Sequence, residues 1–363
     1  MSPAIVETTY LAEAFQPAIY KPSEGITEWK CPSNIALVKY WGKKNDQKPA
    51  NPSLSVTLTN CFTSLTSDYS IKPGAPFKLE FLFEGKQNPQ FEDRIVSYFR
   101  KLIPYFPFIN NLHIKLESCN SFPHSSGIAS SASFFGALAL VVCSMQNNEE
   151  TLTTDFFRKA SFMARLGSGS ACRSVFGGLT LWGETPFILG SSDEYALPVE
   201  DKGQVLSALR DSVLVVSSGA KSVSSSRGHE LMIKHPLREA RIGQAERNLE
   251  RILSALNSGE MNDLMNVTET EALTLHALMM TSDPGYMLIR PETFEIIIRI
   301  KEFRRQTGIP VGFTLDAGPN VHVLYPDSTK AGVITFIEKE LTGYCENGKV
   351  IHDLAGNGPL KIR

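Results

Sequence analysis

The sequence lacks long hydrophobic runs, an excess of charge of one sign, and paired cysteines. Its longest mostly apolar stretch, residues 132–145, is too short to span a bilayer and is interrupted by Ser133 and Gly136. The formal net charge is -2, so we expect no basic surface for nucleic acid or for an anionic membrane. The 6 cysteines form no CxxC pair, which favours reduced, buried thiols over zinc ligands or disulfides.

We also expect no secretory leader. Glu7 comes early, and neither a basic segment nor a compact apolar segment follows. We therefore expect a cytoplasmic protein that binds neither nucleic acid nor a membrane. With 363 residues, of which 42% are hydrophobic and 20% charged, the chain is long enough to fold as two moderate domains.

Hydrophobic periodicity predicts an α+β fold in which strands and helices are interleaved. Strands are predicted at residues 53–59, 113–117, 177–182, 212–217, 311–315 and 321–325, the first two as half-buried strands. Helices are predicted at residues 91–105, 130–146, 153–166, 236–256, 261–280, 292–305 and 332–341. The helix at 130–146 is so rich in Ala, Leu and Val that we expect it to be buried.

The domain organisation is predicted from composition. Residues 1–27 show no sustained period and are expected to form an N-terminal arm. The segment 186–211 carries several Pro, Gly and charged residues, so the boundary is placed near residue 195. This gives an N-terminal domain at 28–195 and a C-terminal domain at 196–363.

The serine- and glycine-rich turn at residues 123–131 is a candidate phosphate site. It precedes the predicted buried helix, where free backbone N–H groups and the helix dipole favour an anion, and Gly127 allows close backbone approach. Four hydroxyls can donate to phosphate oxygens or reach Mg²⁺: those of Ser125, Ser126, Ser130 and Ser131. The Walker A and GxGxxG patterns are absent. Serines that merely cap the helix remain the alternative.

Three further segments place charge beside apolar sequence. Lys39 and Lys43 follow the apolar run 35–38, and cations at the mouth of a buried strand are unfavourable unless they meet anions. Arg173 lies among small hydroxyl residues and is suited to bidentate contact with a carboxylate or phosphate. Asp316 enters a glycine turn, where it can act as a base. The alternatives are a lysine-flanked surface strand, a flexible linker and an Asp that caps a turn.

In this order and spacing, the segments resemble the mevalonate diphosphate decarboxylases, a family within the GHMP kinase superfamily. The matching pieces are N-I-A-x-x-K-Y-W-G-K at 34–43, S-L-S-V-T-L at 53–58, F-P-x-x-x-G-x-A-S-S at 122–131, G-S-G-S-A-C-R-S at 167–174 and D-A-G-P-N at 316–320. The resemblance reaches from about residue 29 to 341. It implies a two-domain GHMP kinase-like fold, with an N-terminal part like domain 2 of ribosomal protein S5 and a ferredoxin-like C-terminal part.

The resemblance also implies a reaction. Family members decarboxylate mevalonate 5-diphosphate to isopentenyl diphosphate in the mevalonate pathway of isoprenoid biosynthesis. They first phosphorylate the 3-hydroxyl with ATP and then release ADP, phosphate and CO₂. The implied cofactors are ATP and Mg²⁺, and a homodimer is the implied assembly.

Roles are implied for the residues that match the family's motifs. Asp316 would orient or deprotonate the 3-hydroxyl, Lys39 would stabilise the moving phosphoryl group, and Arg173 would hold the substrate carboxylate. The implied substrate contacts are Tyr40, Lys43, Ser168, Ser170 and Arg227. The implied ATP contacts are Asn34, Ser125, Ser126, Gly127, Ala129, Ser130 and Ser131, with Mg²⁺ at Ser130 and Ser131. His229 stands where the family usually has Met.

Other functions remain open at this point. The chain could be a GHMP-type small-molecule kinase that stops at the 3-phosphate, a decarboxylase of the monophosphate, or a catalytically silent homologue that senses ligand. Lys39, Arg173 and Asp316 together argue against a pure kinase, because a kinase does not need to hold a carboxylate for elimination. No loss at these positions supports the silent homologue.

Overall fold

A computed structural model of the chain describes residues 24–44, 47–123, 128–146, 152–205, 208–219 and 221–363. Within these residues two β-sheets are interleaved with helices, which confirms the predicted α+β class. The strands are β1 Glu24–Val38, β2 Ser53–Ile71, β3 Lys78–Phe83, β4 Lys86–Gln87, β5 Leu112–Asn120, β6 Leu179–Trp182, β7 Ala196–Val199, β8 Leu209–Leu214, β9 Gly312–Leu315, β10 Val321–Pro326, β11 Val350–Leu354 and β12 Leu360–Lys361.

The two sheets differ in size and pairing. The first has 8 strands in the order β12-β1-β2-β5-β3-β4, with β6 joined to β2 and β7 joined to β6. Its strands pair antiparallel except for β3 and β5, which run parallel. The second sheet has 4 antiparallel strands in the order β11-β8-β10-β9.

The helices mostly follow the predicted segments. They are α1 Pro89–Leu102, α2 Ser130–Gln146, α3 Thr154–Gly167, α4 Ala171–Ser174, α5 Ser225–Leu231, α6 Arg238–Ser258, α7 Met261–Met280, α8 Pro291–Thr307 and α9 Lys330–Phe336. Asn88 and Thr153 cap α1 and α3 by accepting backbone N–H groups, and Gly259 and Gly308 end α6 and α8 at positive φ. None of these helices, among the residues described, is long and apolar enough to cross a membrane.

Helix α2 lies at the centre of the first core. Its apolar residues from Ala137 to Val142 are 0% exposed, because the helix packs against β1, β2 and α3. A helix that is apolar all round must be covered on every side. The structure therefore confirms the buried helix predicted at residues 130–146.

Strand β2 is more buried than its alternating pattern predicted. All residues of the segment 53–58 are buried, whereas we expected one solvent-exposed face. Its hydroxyl face is covered by protein and partly hydrogen-bonded: Ser53 donates to the Val38 carbonyl at 2.7 Å and Thr57 to the Gly356 carbonyl at 3.2 Å. Short hydroxyl side chains can line a buried face in this way.

The ends of the first sheet bear on the predicted domain limits. Strand β1 begins at Glu24, so residues 24–27 pair with residues 67–70 of β2 and are not part of a separate arm. Residues 1–23 of that arm lie outside the described residues. β7 follows residue 195 yet pairs with β6, and β12 pairs with β1, so the first sheet takes strands from both sides of residue 195. The division into 28–195 and 196–363 stays a prediction.

A second core joins the two sheets. It combines Leu37 and Leu54 of the first sheet with Leu249 of α6 and with Val213 and Leu324 of the second sheet. This packing brings the end of β1 next to the turn between β9 and β10. The functional residues collect at that junction.

Candidate active site

A cavity of about 510 Å³ opens at this junction. The end of β1, the start of α2, the α3–α4 turn, the segment 221–229 and the β9–β10 turn form its wall. Its charged lining residues in the described chain are Lys39, Lys43, Arg94, Arg173, Lys221 and Asp316. Because basic groups outnumber the single carboxylate, the cavity suits a polyanion.

Lys39 and Asp316 form an ion pair inside the cavity. The Lys39 Nζ donates to Asp316 Oδ1 at 3.0 Å, although the two residues are 277 positions apart. Lys39 is 2% exposed and Asp316 27% exposed. Burial lowers the pKa of Lys39 despite the opposing effect of the Asp316 carboxylate. Burial raises the pKa of Asp316, but Lys39 and other nearby basic groups outweigh it, so the net pKa is lowered and the carboxyl is ionised at neutral pH.

Arg173 places a buried guanidinium beside this pair. It lies on the short helix α4, is 3% exposed, and donates from Nη1 to the Ser53 hydroxyl. Within the described residues its Nε has no hydrogen-bond partner. Burial lowers the pKa of Arg173, yet an arginine stays charged at neutral pH. Donors of this kind are unfavourable inside a protein unless they meet an anion.

Aromatic rings form the wall next to Lys39. The Tyr40 ring lies 4.2 Å from the His229 ring and 4.7 Å from the Trp182 ring, between centroids. The Tyr40 hydroxyl is buried and has no partner among the described residues. The Nδ1 of His229 accepts the Gly42 backbone N–H at 3.0 Å. Burial, and then Lys43, lower the pKa of His229 well below its usual value, so its proton is on Nε2 at neutral pH.

The segment after this aromatic wall supplies a further cation. Lys43 Nζ donates to Gln47 Oε1 at 2.5 Å. Burial is the main cause that lowers the pKa of Lys43, and the positive charge of Lys101 adds to it. The neighbouring Lys44 pairs with Asp193 at 2.8 Å, which ties this loop to the connection between β6 and β7.

The predicted phosphate cradle lies partly in the described residues. Ser125, Ser126 and Gly127 lie outside them. Ala129 has a φ of 45°, a left-handed conformation that a non-glycine residue rarely adopts, and it lines the cavity directly before α2. Ser131 lines both this cavity and an adjoining one of about 170 Å³.

The adjoining cavity is lined, among the described residues, by three aromatic and five polar ones. The aromatic ones are Phe83, Phe91 and Phe134, and the polar ones are Asn88, Arg94, Asn120, Ser130 and Ser131. On the other side of the α2 N-terminus, Asn34 donates from Nδ2 to the Ser174 hydroxyl at 2.7 Å, and its own Oδ1 is buried without a partner in the described chain. The start of α2 therefore lies between the larger polar cavity and a smaller one that combines aromatic and polar side chains.

Two family models cover most of the chain. Residues 31–194 match the diphosphomevalonate decarboxylase-like N-terminal domain, and residues 212–357 match the mevalonate 5-diphosphate decarboxylase C-terminal domain. The chain belongs to the mevalonate diphosphate decarboxylase family. A diphosphomevalonate decarboxylase of Ganoderma lucidum is 28% identical over 331 residues, which cover 85% of this chain and 80% of the relative.

Solved decarboxylase structures share the fold. The mevalonate diphosphate decarboxylase of Staphylococcus aureus is 27% identical, with a TM-score of 0.81 over 94% of this chain and 99% of that chain. A structure of MDDEF in complex with MVAPP, AMPPCP and magnesium is also 27% identical, with a TM-score of 0.80 over 94% of this chain and 100% of that chain. The predicted GHMP kinase-like fold is thereby confirmed.

Within this decarboxylase fold most of the residues singled out from the sequence come together. Those lining the larger cavity are Asn34, Lys39, Tyr40, Lys43, Ala129, Ser131, Ser168, Ser170, Arg173 and Asp316. Arg227 does not line it. The residue is exposed and pairs with Glu230 at 3.0 Å, because α5 turns Gly228 and His229 inward and Arg227 outward. The cavity instead receives Ser224, Ser225 and Ser226 from this segment.

Sequence reasoning missed other lining residues of the decarboxylase cavity. Lys221 lies near Gly318 of the Asp316 turn, and burial lowers its pKa while Asp316 opposes this. The signal was weak, since a lysine in a serine-rich loop is typical of a solvated surface. Arg94 resembles any charge on the polar face of an amphipathic helix, and the sequence held no signal for it. Its guanidinium lies over the Phe91 and Phe135 rings.

Proposed function

We propose that this chain decarboxylates mevalonate 5-diphosphate to isopentenyl diphosphate with ATP, by way of the 3-phosphate, and releases ADP, phosphate and CO₂. One observation carries the proposal: the Lys39–Asp316 pair, 3.0 Å between charged atoms, lies in one cavity with the buried Arg173. A base, a cation for the moving phosphoryl group and a carboxylate holder are then available together. Family membership supports the same reaction.

The first step transfers the γ-phosphoryl group to the tertiary 3-hydroxyl. The ionised Asp316 accepts the hydroxyl proton as the oxygen forms its bond to phosphorus. The Lys39 ammonium stabilises negative charge on the phosphoryl oxygens. Because Lys39 is buried, this electrostatic interaction is stronger than it would be in water. ADP leaves with the electron pair of the broken P–O bond.

The second step removes phosphate and CO₂. The C3–O bond breaks, and phosphate departs with its electron pair, so positive charge develops at C3 next to Asp316. The bond between C2 and the carboxylate carbon then breaks, and its electron pair forms the C2–C3 double bond. Arg173 holds the carboxylate so that this bond stays aligned. CO₂ leaves as a neutral molecule.

The substrate diphosphate would occupy the polar end of the cavity. Tyr40, Lys43, Ser168 and Ser170 are its proposed contacts, as the family resemblance implies. The geometry adds His229, whose Nε2–H has no partner among the described residues and whose ring lines the cavity. Neutral hydrogen-bond donors and one lysine can together bind a diphosphate, even though their positive charge does not match the negative charge of the diphosphate.

ATP would bind across the start of α2. The proposed contacts are Asn34, Ala129, Ser130 and Ser131, together with Ser125, Ser126 and Gly127 from outside the described residues. The adjoining cavity with Phe83, Phe91 and Phe134 is the proposed site of the base, because aromatic rings can stack on a base.

The proposed Mg²⁺ site depends on phosphate oxygens. The described residues contain no cluster of three His, Cys, Asp or Glu side chains that could hold a metal ion. Mg²⁺ is commonly held by substrate phosphates and few protein groups, so Ser130 and Ser131 hydroxyls fit as its protein ligands. When bound, the ion would neutralise charge on the phosphates.

We also propose a cytoplasmic homodimer. All 6 cysteines are free and 5 of them are buried, which suits a reducing compartment. The dimer follows from the family resemblance, and light scattering on the purified chain measures it directly.

A coupled assay tests the function. The purified chain is incubated with Mg-ATP and mevalonate 5-diphosphate, and ADP and CO₂ are followed in the same tube. We expect equal amounts of both, with the monophosphate a much poorer substrate. ADP without CO₂ would show a kinase, faster turnover of the monophosphate would change the substrate, and neither product would favour the silent homologue.

A further inference from the structure

Helix α7 contacts the backbone of both members of the Lys39–Asp316 pair. Glu271 Oε2 accepts the Lys39 backbone N–H at 2.8 Å. Five residues further along the helix, His276 Nε2 lies 3.0 Å from the Asp316 carbonyl oxygen. A carbonyl can only accept, so His276 is the donor and carries its proton on Nε2.

The Glu271 contact belongs to a buried network. Arg241 of α6 pairs with both carboxylate oxygens of Glu271 at 2.7 and 2.6 Å, and Asn248 donates to Oε1 at 2.7 Å. Arg241 also donates to the Lys39 carbonyl at 2.9 Å, as does Asn51 at 2.9 Å. The backbone N–H and the carbonyl oxygen of Lys39 are therefore both hydrogen-bonded to side chains.

Packing alone does not explain these charges. Glu271 is 0% exposed and Arg241 2% exposed, and a buried ion pair contributes little net stability compared with well-packed apolar residues. His276 is 2% exposed, and its Nε2–H donates to the backbone of a residue that we place in the reaction. Arg241 of α6 and Glu271 and His276 of α7 are thus directed at the backbone of Lys39 and Asp316.

The pair needs such support because its members come from different sheets. Lys39 follows β1 of the first sheet and Asp316 follows β9 of the second, and no strand pairing joins β1 to β9 within the described residues. Any shift between the two sheets would change their distance. A rigid helix that contacts both peptides prevents this, since five residues of α-helix fix a rise of about 7.5 Å.

We propose that Glu271 and His276 are positioning residues, and that α7 acts through them as a clamp that sets the Lys39–Asp316 geometry for the reaction. The inference rests on the proposed function. It assigns these two residues no contact with substrate. Their effect is on kcat through the position of two catalytic groups.

The test uses pairs of matched variants. His276→Leu removes the donor to Asp316, and its control is His235→Leu, because His235 is similarly buried and also lies against α7, 3.1 Å from the Leu278 carbonyl. Glu271→Gln neutralises the clamp carboxylate. Its control is Glu269→Gln, since Glu269 lies on the same helix and pairs with Arg304 at 2.7 and 3.1 Å.

Kinetics and binding are measured for every variant that urea unfolding shows to be folded. We expect kcat to fall roughly 100-fold for His276→Leu and Glu271→Gln, the loss typical of small misplacements of reacting groups. The KM for mevalonate 5-diphosphate and the Kd for a non-hydrolysable ATP analogue should stay within about threefold. The control variants should keep kcat within about threefold at a similar loss of stability. If Glu271→Gln fails to fold, the comparison of His276→Leu with its control His235→Leu decides the test.

Two readouts separate positioning from general destabilisation. His276→Gln should restore most of kcat, because an amide can still donate to the Asp316 carbonyl. In His276→Leu the acidic limb of kcat should move to higher pH, since the pKa of Asp316 rises when Lys39 is displaced. Wild-type kcat in His276→Leu, or an equal loss in His235→Leu, would overturn the clamp. Absence of CO₂ with the wild-type chain would instead overturn the proposed function.

Discussion

Lys39 and Asp316 carry most of the chemistry that we assign to single residues. Each charge alone would be unfavourable at its position, because a buried lysine tends to lose its charge and a partly buried carboxyl tends to keep its proton. Together, at 3.0 Å, they keep Asp316 ionised and available as a base. The pKa of Lys39 remains below its usual value, so activity that depends on its charge should decline on the alkaline side earlier than for an exposed lysine.

Replacing the base tests its role. Asp316→Asn keeps the shape of the side chain and removes its ability to accept the 3-hydroxyl proton. We expect kcat to fall about 100- to 10,000-fold, with little change in the Kd of a non-hydrolysable ATP analogue. Asp193→Asn, which removes a carboxylate paired with Lys44, serves as the control. Normal turnover by Asp316→Asn would show that its assigned role is wrong.

His229 is a second residue with a specific expectation. In His229→Met the proposed Nε2–H donor to the diphosphate is lost, and hydrogen bonds to charged groups contribute roughly 1.5–3 kcal/mol. The KM for mevalonate 5-diphosphate should therefore rise at least about tenfold, while kcat changes little. Arg227→Ala, on the exposed face of the same helix, should leave KM unchanged. Steady-state kinetics at neutral pH measure both, and equal KM values would contradict the contact.

At the scale of elements, the turn between α3 and α4 holds the aromatic wall in place. A Cβ at Gly169 would lie 2.8 Å from the Tyr40 hydroxyl and 2.8 Å from the Trp182 ring. Both rings are packed, because Tyr40 lies between Trp182 and His229. The glycine therefore serves close packing of a loop against the substrate cavity.

Gly169→Ala should displace Tyr40. We expect a loss of roughly 1–3 kcal/mol in the free energy of unfolding, as for other overpacked sites, and an increase in KM for the substrate. Gly343→Ala is the control, since a Cβ there would meet nothing within 4 Å. Urea denaturation and substrate kinetics on both variants check the expectation. Equal stability of the two variants would show that the turn can adjust.

At the scale of the whole molecule, several ionisable groups are buried near the junction of the two sheets. Asp211 and His322 of the second sheet pair at 2.6 Å, and burial raises the pKa of Asp211. Burial lowers the pKa of His276 to about 4. Proton uptake by Asp211 and His276 therefore differs between the folded and unfolded chain, and stability depends on pH.

Acidification should destabilise the chain through His276. The unfolded histidine binds a proton below about pH 6.5, whereas the folded one does so only near pH 4. The contribution is complete above pH 6.5 and is lost as the pH falls toward 4. On going from pH 7 to pH 5, the free energy of unfolding should fall by roughly 2 kcal/mol through this histidine. Urea unfolding of the wild type and His276→Gln at both pH values measures it, and the variant should lose less stability. An identical pH dependence would contradict the lowered pKa.

The sequence by itself determined the long helices and about half of the described strands, and its motifs determined the family. The bounds predicted for α2 and α7 agree with the structure. The spacing of apolar residues along a long helix depends on which of its faces are buried, so it can be read from the local sequence. The motifs around Lys39, Arg173 and Asp316 predicted three charged residues that line one cavity. Their individual roles stay predictions.

Only the tertiary structure decided which residues face one another. Lys39 and Asp316 are 277 positions apart, and no local pattern encodes their contact. Arg227 and Lys221 belong to one serine-rich segment, yet only Lys221 lines the cavity. Glu271 and His276 resembled ordinary polar positions of a helix until their backbone partners were known. Hydrophobic periodicity indicates the burial of a single helix or strand. A functional site depends on how elements that are distant in sequence pack together, and the hydrophobic cores between those elements decide this packing.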